Sequence, residues 1–397
     1  MLLKSSPSKF TGGISCLWGG MELIYLKKFI FSFFKLQVKS NSDLLIYESA
    51  RAAILHSLKC LTVTSKDQVI VSSFTCDAVT KAITNSGAKT VYVDVNQDFT
   101  MNDKCVLRAI NKNTKALILQ DTFGRLGLKI GTINKIKKKR IFIIEDTCLS
   151  VGSKFKDKLL GQFGDVSIFS LEVSKTITIG WGGVLKINNP EYKNKIVASY
   201  ELLKSINIIE DLRRLMQLLI SLFFLKHPKF FGNIIWYFLY GTRIFRKSNV
   251  GTQLFEKKIG PVTRKFFLYV FPKFGNFYKK TNKNYVHLIN HMSKVKLKCP
   301  LIQKKNEFIV TPRIPLLVNN KNKIIKLANK MKIEIGDWFS ECPPKFNLES
   351  ARVNSCKISS LITDKIINIP CYFSLEKKEI SKLKKLISDI TLIEKNK

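Results

Sequence analysis

The sequence predicts an α/β protein: a large, mostly parallel sheet with helices on both faces, followed by a smaller C-terminal α/β unit. Two observations carry this expectation. From Ala50 to about Ile187, short β-rich runs alternate with helical stretches, and such alternation implies parallel strands joined by crossover helices. From about Leu297 a second, shorter set of strand and helix candidates begins.

Taken in order, the strand candidates of the first region are Gln68–Ser72, Thr90–Val95, Ala116–Gln120, Ile141–Glu145, Val166–Leu171 and Gly183–Ile187. The first four are apolar and bounded by turn or polar residues, as expected of strands buried on both faces. Helices are expected at Ala50–Leu61, Asp77–Ser86, Asp103–Asn111 and Gly131–Lys138. From about Glu191 to Tyr278 the chain reads as mainly helical, with aromatic and basic residues mixed. Phe308–Val310 and Ile314–Val318 then read as strands, Lys321–Met331 as a helix, and Ile367–Pro370 as a short strand or extended turn. Ser374 is expected to cap a final helix, with Glu376 in its first turn. The organisation expected is an N-terminal segment 1–45, a large α/β domain 46–190, a helical region 191–296 and a small α/β domain 297–397.

The chain has 397 residues, 45% of them hydrophobic, and a formal charge of +38. Such a charge raises nucleic acid or an anionic membrane as partners. The excess is mostly Lys spread beside Asn and Ile, a bias that an AT-rich genome also produces. No zinc knuckle, RNP-like run or basic heptad accompanies it, so no nucleic-acid partner is expected. Nine cysteines, with none paired at zinc or dithiol spacing, and four histidines suggest reduced thiols and no metal site. The apolar run Ile24–Leu36 is broken by Lys27, Lys28 and Lys35, so no signal peptide is expected. A greasy stretch from Leu215 to Tyr240 divides into Leu218–Leu225 and Phe230–Leu239. Each half falls short of the roughly 20 residues that span a bilayer. Buried or interface helices are expected there, with a surface lying on a membrane as the open alternative. The expected location is cytoplasmic, with peripheral contact to the inner membrane belonging to that alternative.

In open α/β sheets ligands sit beyond the carboxyl ends of the strands, and four features fall there. At Glu48-Ser49-Ala50-Arg51 an extended segment turns into a helix, whose free N–H groups suit a phosphate. Ser49 and Arg51 could add donors, although Ser is also a common helix cap. Glu145-Asp146 end an apolar strand, and Asp146 there could grip a protonated ring nitrogen or cap a helix. Ser170 ends another strand and could donate to a phosphate oxygen or bond locally. Lys175 lies five residues after Ser170 and before the Gly-rich turn at Gly180–Gly183. One Lys among many is ordinarily a solvated charge. A lysine amine held neutral can also form a Schiff base with an aldehyde. Phosphate donors, an acid for a pyridine nitrogen and an amine for an aldehyde are together what pyridoxal 5'-phosphate (PLP) needs.

With these residues in place, the sequence resembles the DegT/DnrJ/StrS family of sugar aminotransferases, a branch of fold-type I PLP enzymes. The resemblance covers most of the chain. It runs through Val69–Cys76, Tyr92–Val95, Gln120-Asp121-Thr122-Phe123-Gly124, Glu145-Asp146, Phe169-Ser170, Lys175 and Gly182-Gly183. Near the C-terminus it includes Arg313-Ile314-Pro315, Gly336-Asp337-Trp338-Phe339 and Asn368-Ile369-Pro370. It implies that Lys175 forms the Schiff base and shuttles the proton, and that Asp146 keeps the pyridine nitrogen protonated. It further implies that Ser170 and the Ala50 and Arg51 amides hold the phosphate, and that Cys76 lies at the ring. The implied reaction moves an amino group from an amino acid, usually glutamate, to a keto carbon of a nucleotide-linked sugar, for a surface polysaccharide such as lipopolysaccharide. The implied assembly is a homodimer. Two departures stand out: Leu149 replaces the usual Gln or His three residues after the aspartate, and Asp121 replaces the usual His. Two alternatives accompany this reading: a PLP-dependent sugar dehydratase of the same fold, whose lysine position is normally His, and a non-catalytic basic membrane-associated protein.

Overall fold

The computed structural model describes residues 43–172, 175–226, 256–264, 277–344, 351–354 and 356–395. Ile24–Leu36, Phe230–Leu239 and Ser174 lie outside the described residues.

Chain order in the first part is β1 (Leu44–Tyr47), α1 (Ala50–Cys60), β2 (Gln68–Ser72), α2 (Asp77–Asn85), β3 (Lys89–Val93), α3 (Asp103–Ala109), β4 (Thr114–Gln120), α4 (Ile130–Lys138), β5 (Phe142–Asp146), the short β6 (Lys154–Phe155) and β7 (Lys158–Leu159), β8 (Val166–Ser170) and β9 (Gly183–Ile187). Two helices follow, α5 (Lys193–Glu201) and α6 (Ile208–Lys226). The last part holds α7 (Phe277–Lys294), β10 (Glu307–Phe308), β11 (Arg313–Leu317), α8 (Lys321–Lys330), β12 (Arg352–Asn354), α9 (Lys357–Lys365), β13 (Ile366–Pro370) and α10 (Lys377–Lys395).

Eight strands make the main sheet in the order β1-β9-β8-β5-β4-β2-β3-β12. Every neighbouring pair from β12 to β8 is parallel, and only β9 runs against both of its neighbours. Alternate residues of each strand feed two cores, because strand side chains point to opposite faces. Val69, Val71, Ile118 and Ile144 pack under α1 and α2 with Ala53, Leu55 and Ile83, while Ile70, Leu117, Leu119 and Ile143 pack under α3 and α4 with Val106, Ile133 and Ile136. Double coverage is why these strands read as nearly continuous apolar runs.

A third core joins the two-stranded sheet β11–β13 to α7, α8 and α10. Helix α7 contributes Tyr285, Leu288, Ile289 and Met292, the spacing of one helical face. Phe74, Phe99 and Phe123, from loops beyond the main sheet, enter the same core. The C-terminal part also lends β12 to the main sheet beside β3.

The fold expectation holds, with corrections at element ends and in short pieces. Ser374 does not cap the last helix: α10 starts at Lys377, and Glu379 Oε2 accepts from the Glu376 N–H at 2.8 Å. The greasy stretch from Leu215 begins inside α6. There Leu215 is buried, whereas Ile208, Ile209, Leu212 and Met216 are exposed. Among the described residues no helix is long and apolar enough to cross a membrane.

Candidate functional site

The register of the sheet sets the site. Gln120 at the end of β4 lies opposite Asp146 at the end of β5. Ser170 at the end of β8 lies opposite Gly183 at the start of β9, and Gly183 in turn lies opposite Tyr47 at the end of β1. One step further, Ser49 bridges Gly182. A single sheet edge therefore carries Gln120, Asp146, Ser170 and the start of α1. Gly183 makes the last contact: a Cβ there would lie 2.3 Å from the Ala50 nitrogen. Any side chain would push the helix start off the strand.

Ser49 is extended and caps α1, its Oγ accepting from the Ala52 N–H at 3.3 Å. The amides of Ala50 and Arg51 come just before that bond, at the positive end of the helix. The Arg51 guanidinium reaches Glu172 at 3.4 Å, across the segment that follows β8. Lys175 stands on the same segment. Its Nζ lies 5.5 Å from the centroid of the Trp338 ring, and among the described residues its side chain has no hydrogen bond or ion pair.

Two thiols register that amine. Burial pushes the Cys76 thiol up, while Lys175 and then Arg51 pull it back. Burial and then Asp146 push Cys148 well up, again against Lys175. Asp146, Cys76, Cys148, Glu172, Arg51 and Lys175 thus form one electrostatic neighbourhood. The Asp146 carboxylate accepts from the Cys148 N–H at 3.0 Å, which fixes its direction at the strand end. Beside it, Gln120 is buried and fully bonded: it accepts from the Thr75 hydroxyl at 2.5 Å and donates to the Phe74 carbonyl and the Thr122 hydroxyl, both at 2.9 Å.

Asp121 and Leu149, the two departures from the family pattern, are buried. Asp121 Oδ1 accepts from the Gly127 N–H at 2.9 Å, and Oδ2 has no donor among the described residues. Its neighbour Glu145 accepts from the amides of Gly161, Phe163 and Gly164 and from the Ser167 hydroxyl. Burial, and next the Glu145 charge, push the Asp121 carboxyl well above its ordinary value. Four donors already aim at Glu145 and only one at Asp121, so the upward push falls on Asp121.

A raised carboxyl stabilises the fold at low pH, below the unfolded value, and that stability is lost as pH climbs toward the folded value. Asp121→Asn keeps the acceptor for Gly127 and offers an N–H to Glu145. Melting curves from about pH 4 to about pH 9 should show wild type losing ground to this variant as pH rises. Parallel profiles would sink the account of a raised Asp121 carboxyl.

The six residues expected at the site (Lys175, Asp146, Ser170, Ala50, Arg51 and Cys76) all fall at this sheet edge or within its electrostatic reach. Sequence reasoning gave no role to Glu172, Gln120 or Trp338. Glu172 stands two residues after Ser170, and an acid so close to a proposed phosphate site signals a partner for a cation. Trp338 carries no local signal, because only the tertiary fold brings it to Lys175.

Residues 41–206 match the profile of the DegT/DnrJ/EryC1/StrS aminotransferase family, a span that contains all six site residues. Over that span the chain is similar to that family. Its curated relatives include GDP-perosamine synthase of Escherichia coli O157:H7, 34% identical over 34% of this chain and 37% of the relative. Another is the UDP-N-acetyl-3-dehydro-alpha-D-glucosamine 3-aminotransferase of Acidithiobacillus ferrooxidans, 31% identical over 37% of this chain and 41% of the relative. The match to these two relatives therefore spans only 37% and 41% of their lengths. Solved structures cover nearly the whole chain. The PLP form of Spr1654 from Streptococcus pneumoniae has a TM-score of 0.73 at 16% identity, covering 98% of this chain and 96% of that one. The aminotransferase TlmJ from Streptoalloteichus hindustanus gives 0.72 at 15%, covering 95% and 92%. At such identities the likeness shows the fold alone.

Proposed function

We propose that this chain is a PLP-dependent sugar aminotransferase, moving an amino group from an amino acid, with glutamate as the expected donor, to a keto carbon of a nucleotide-linked sugar. The observation that supports the reading is the Lys175 side chain, without hydrogen bond or ion pair among the described residues, shortly after a strand end that shares the sheet end with Asp146 and the start of α1. Relatives named for GDP-perosamine synthesis and for a UDP-linked 3-aminotransferase support the substrate class. A product destined for a surface polysaccharide, and assembly as a homodimer, belong to the same proposal.

The residues present suit the cofactor. Arg51 and the first amides of α1 offer positive charge and N–H donors to a phosphate, and Ser170 adds a hydroxyl. Asp146 is 7% exposed and can hold a proton on a pyridine nitrogen. Thr176 Oγ1, next to Lys175, is buried without a partner among the described residues. When bound, PLP would supply an aldehyde for amine exchange and a ring that accepts electrons. Lys175 would then take a proton from the substrate carbon and return it at the neighbouring position, as a general base and acid. Trp338 lies beside the lysine, with its ring centroid 5.5 Å from Nζ. Cys76 would line one side of the ring.

The test is a spectrum. Purified protein with added PLP should gain a visible absorption band that unbound cofactor lacks. Glutamate should remove the band and release 2-oxoglutarate. A protein that never takes up PLP would overturn the reading.

A further inference from the structure

Helices α7 and α10 pack side by side on the C-terminal core. Just before α10, the Tyr372 carbonyl accepts from Asn284 Nδ2 at 2.8 Å. Further along, His291 Nε2 lies 3.0 Å from the Lys384 carbonyl and 3.1 Å from Ser388 Oγ. Early residues meet early ones and late residues late ones, so the two helices run in the same direction. Helix α7 buries Tyr285, Leu288 and Met292, and α10 buries Leu383, Leu386 and Ile390. A helix buried along one stripe leaves the opposite face to solvent, and on both helices that face is cationic.

On α7, Lys280, Lys283, His287 and Lys294 are exposed, and their spacing keeps them on one side of the helix. The row is about 21 Å long. Lys384 and the exposed Lys385 stand beside it on α10. The crowding of charge registers at His287, held below its ordinary value by desolvation and then by Lys384, His291, Lys283 and Lys294. Helix α7 contains no acid. On α10, Glu379 accepts from the Glu376 N–H, and Glu394 accepts from the Asn319 and Asn320 amides. Among the described residues none of the five lysines has an ion pair.

The chemistry of the face selects among anionic partners. Neither helix contains an arginine, whose fork grips single phosphates and base edges. Phe277 and Tyr285 are buried and Tyr278 is half-buried, so α7 offers no exposed ring on which a nucleic-acid base would stack. Instead Val286 and Leu392, 38% and 60% exposed, stand among the lysines. Apolar groups between long cationic side chains suit a lipid interface, where the stems lie along the surface and the ammonium groups meet the headgroups. We propose that the outward face of α7 and α10 docks on an anionic lipid surface, with Lys280, Lys283, Lys294, Lys384 and Lys385 over the headgroups. Clusters of roughly four to eight basic residues hold helices to such surfaces. The face contains none of the residues assigned to the cofactor, and the proposal stands apart from the aminotransferase reading.

The full-length protein would be floated with vesicles of phosphatidylcholine, with and without phosphatidylglycerol. It should rise only with the anionic vesicles. It should leave them as salt climbs from about 0.1 to about 1 M, where the screening length shrinks from about 10 to about 3 Å. A triple variant, Lys283→Gln with Lys294→Gln and Lys384→Gln, should bind anionic vesicles ~10²-fold more weakly, the effect of three such charges. A control triple, Lys104→Gln with Lys112→Gln and Lys115→Gln, removes the same charge from exposed positions around α3 and β4. It should bind nearly as wild type does. None of the six side chains is buried, so the melting curves should coincide, and the salt dependence of the wild type needs no variant. No flotation with anionic vesicles at low salt overturns the proposal. So does a control triple that weakens binding as much as the first, because net charge alone would then be the cause. Single-stranded poly(U) is the competing probe. Binding to it through these lysines, by a protein that ignores anionic vesicles, assigns the face to nucleic acid and overturns the lipid surface. Amino transfer measured without vesicles should be equal in the three proteins, so this proposal and the aminotransferase reading fail separately.

Discussion

Lys175→Ala is expected to abolish amino transfer while leaving the protein folded. The side chain is half-buried and has no hydrogen bond or ion pair among the described residues. Its main contact is the face of Trp338, and such contacts contribute about 0.5–1 kcal/mol. The variant should thus melt close to wild type. Its chemistry should suffer far more, because one amine is assigned two tasks, attachment of the cofactor and proton transfer. Loss of a positioned acid–base group alone costs ~10²–10⁴-fold in rate, and loss of the covalent attachment adds to it. The measurement is initial rate with saturating glutamate and keto sugar, beside a spectrum with added PLP. A variant that keeps either the bound-cofactor band or more than about a tenth of the wild-type rate would refute the assignment of Lys175. Arg51→Gln makes a useful contrast: it should raise the PLP concentration needed for activity without removing the band at saturation.

The second large effect is expected at Asp146. Asp146→Asn preserves the acceptor for the Cys148 N–H, so the strand end should keep its shape and the melting temperature should move little. The charge is what is lost. A buried carboxylate opposite a protonated ring nitrogen is a buried ion pair, and removing one partner costs about 3–5 kcal/mol. At that size kcat should fall by ~10²–10⁴-fold. The ring nitrogen would then lose its proton, and the bound-cofactor band should shift or weaken with cofactor still attached to Lys175. An Asp146→Asn enzyme with wild-type kcat would mean that another group faces the nitrogen.

Much of the architecture could be read before the structure, for a physical reason. Strands covered on both faces must be apolar throughout, so β2 and β9 were delimited to the residue as Gln68–Ser72 and Gly183–Ile187. The elements that escaped are those whose structure comes from a distant partner. Leu44–Tyr47 is only four residues long and becomes a strand by pairing with β9. Arg352–Asn354 has no apolar run and becomes one by lying beside β3. The site divides in the same way. Asp146 and Ser170 could be found because strand ends are where ligands bind, and Lys175 because of its distance from Ser170. Trp338, Arg313 and Asn368 come from the other end of the chain, and no local pattern distinguishes a buried arginine from a solvated one. Asp121 is instructive in another way. As a substitution at a position of the family's pattern it reads as a change in the site, yet its Oδ1 accepts from Gly127 and its carboxyl is pushed up by burial and the Glu145 charge.

The pairing of Tyr47 with Gly183 also orders events during synthesis. Strand β1 and helix α1 leave the ribosome early, and β9 is the last strand of the first part to follow. Until then the helix start at Ala50 has no glycine strand to lie against. Closing a connection of that length is slow relative to local helix formation. The start of α1, proposed above to hold a phosphate, is therefore completed only once residues 182 and 183 arrive.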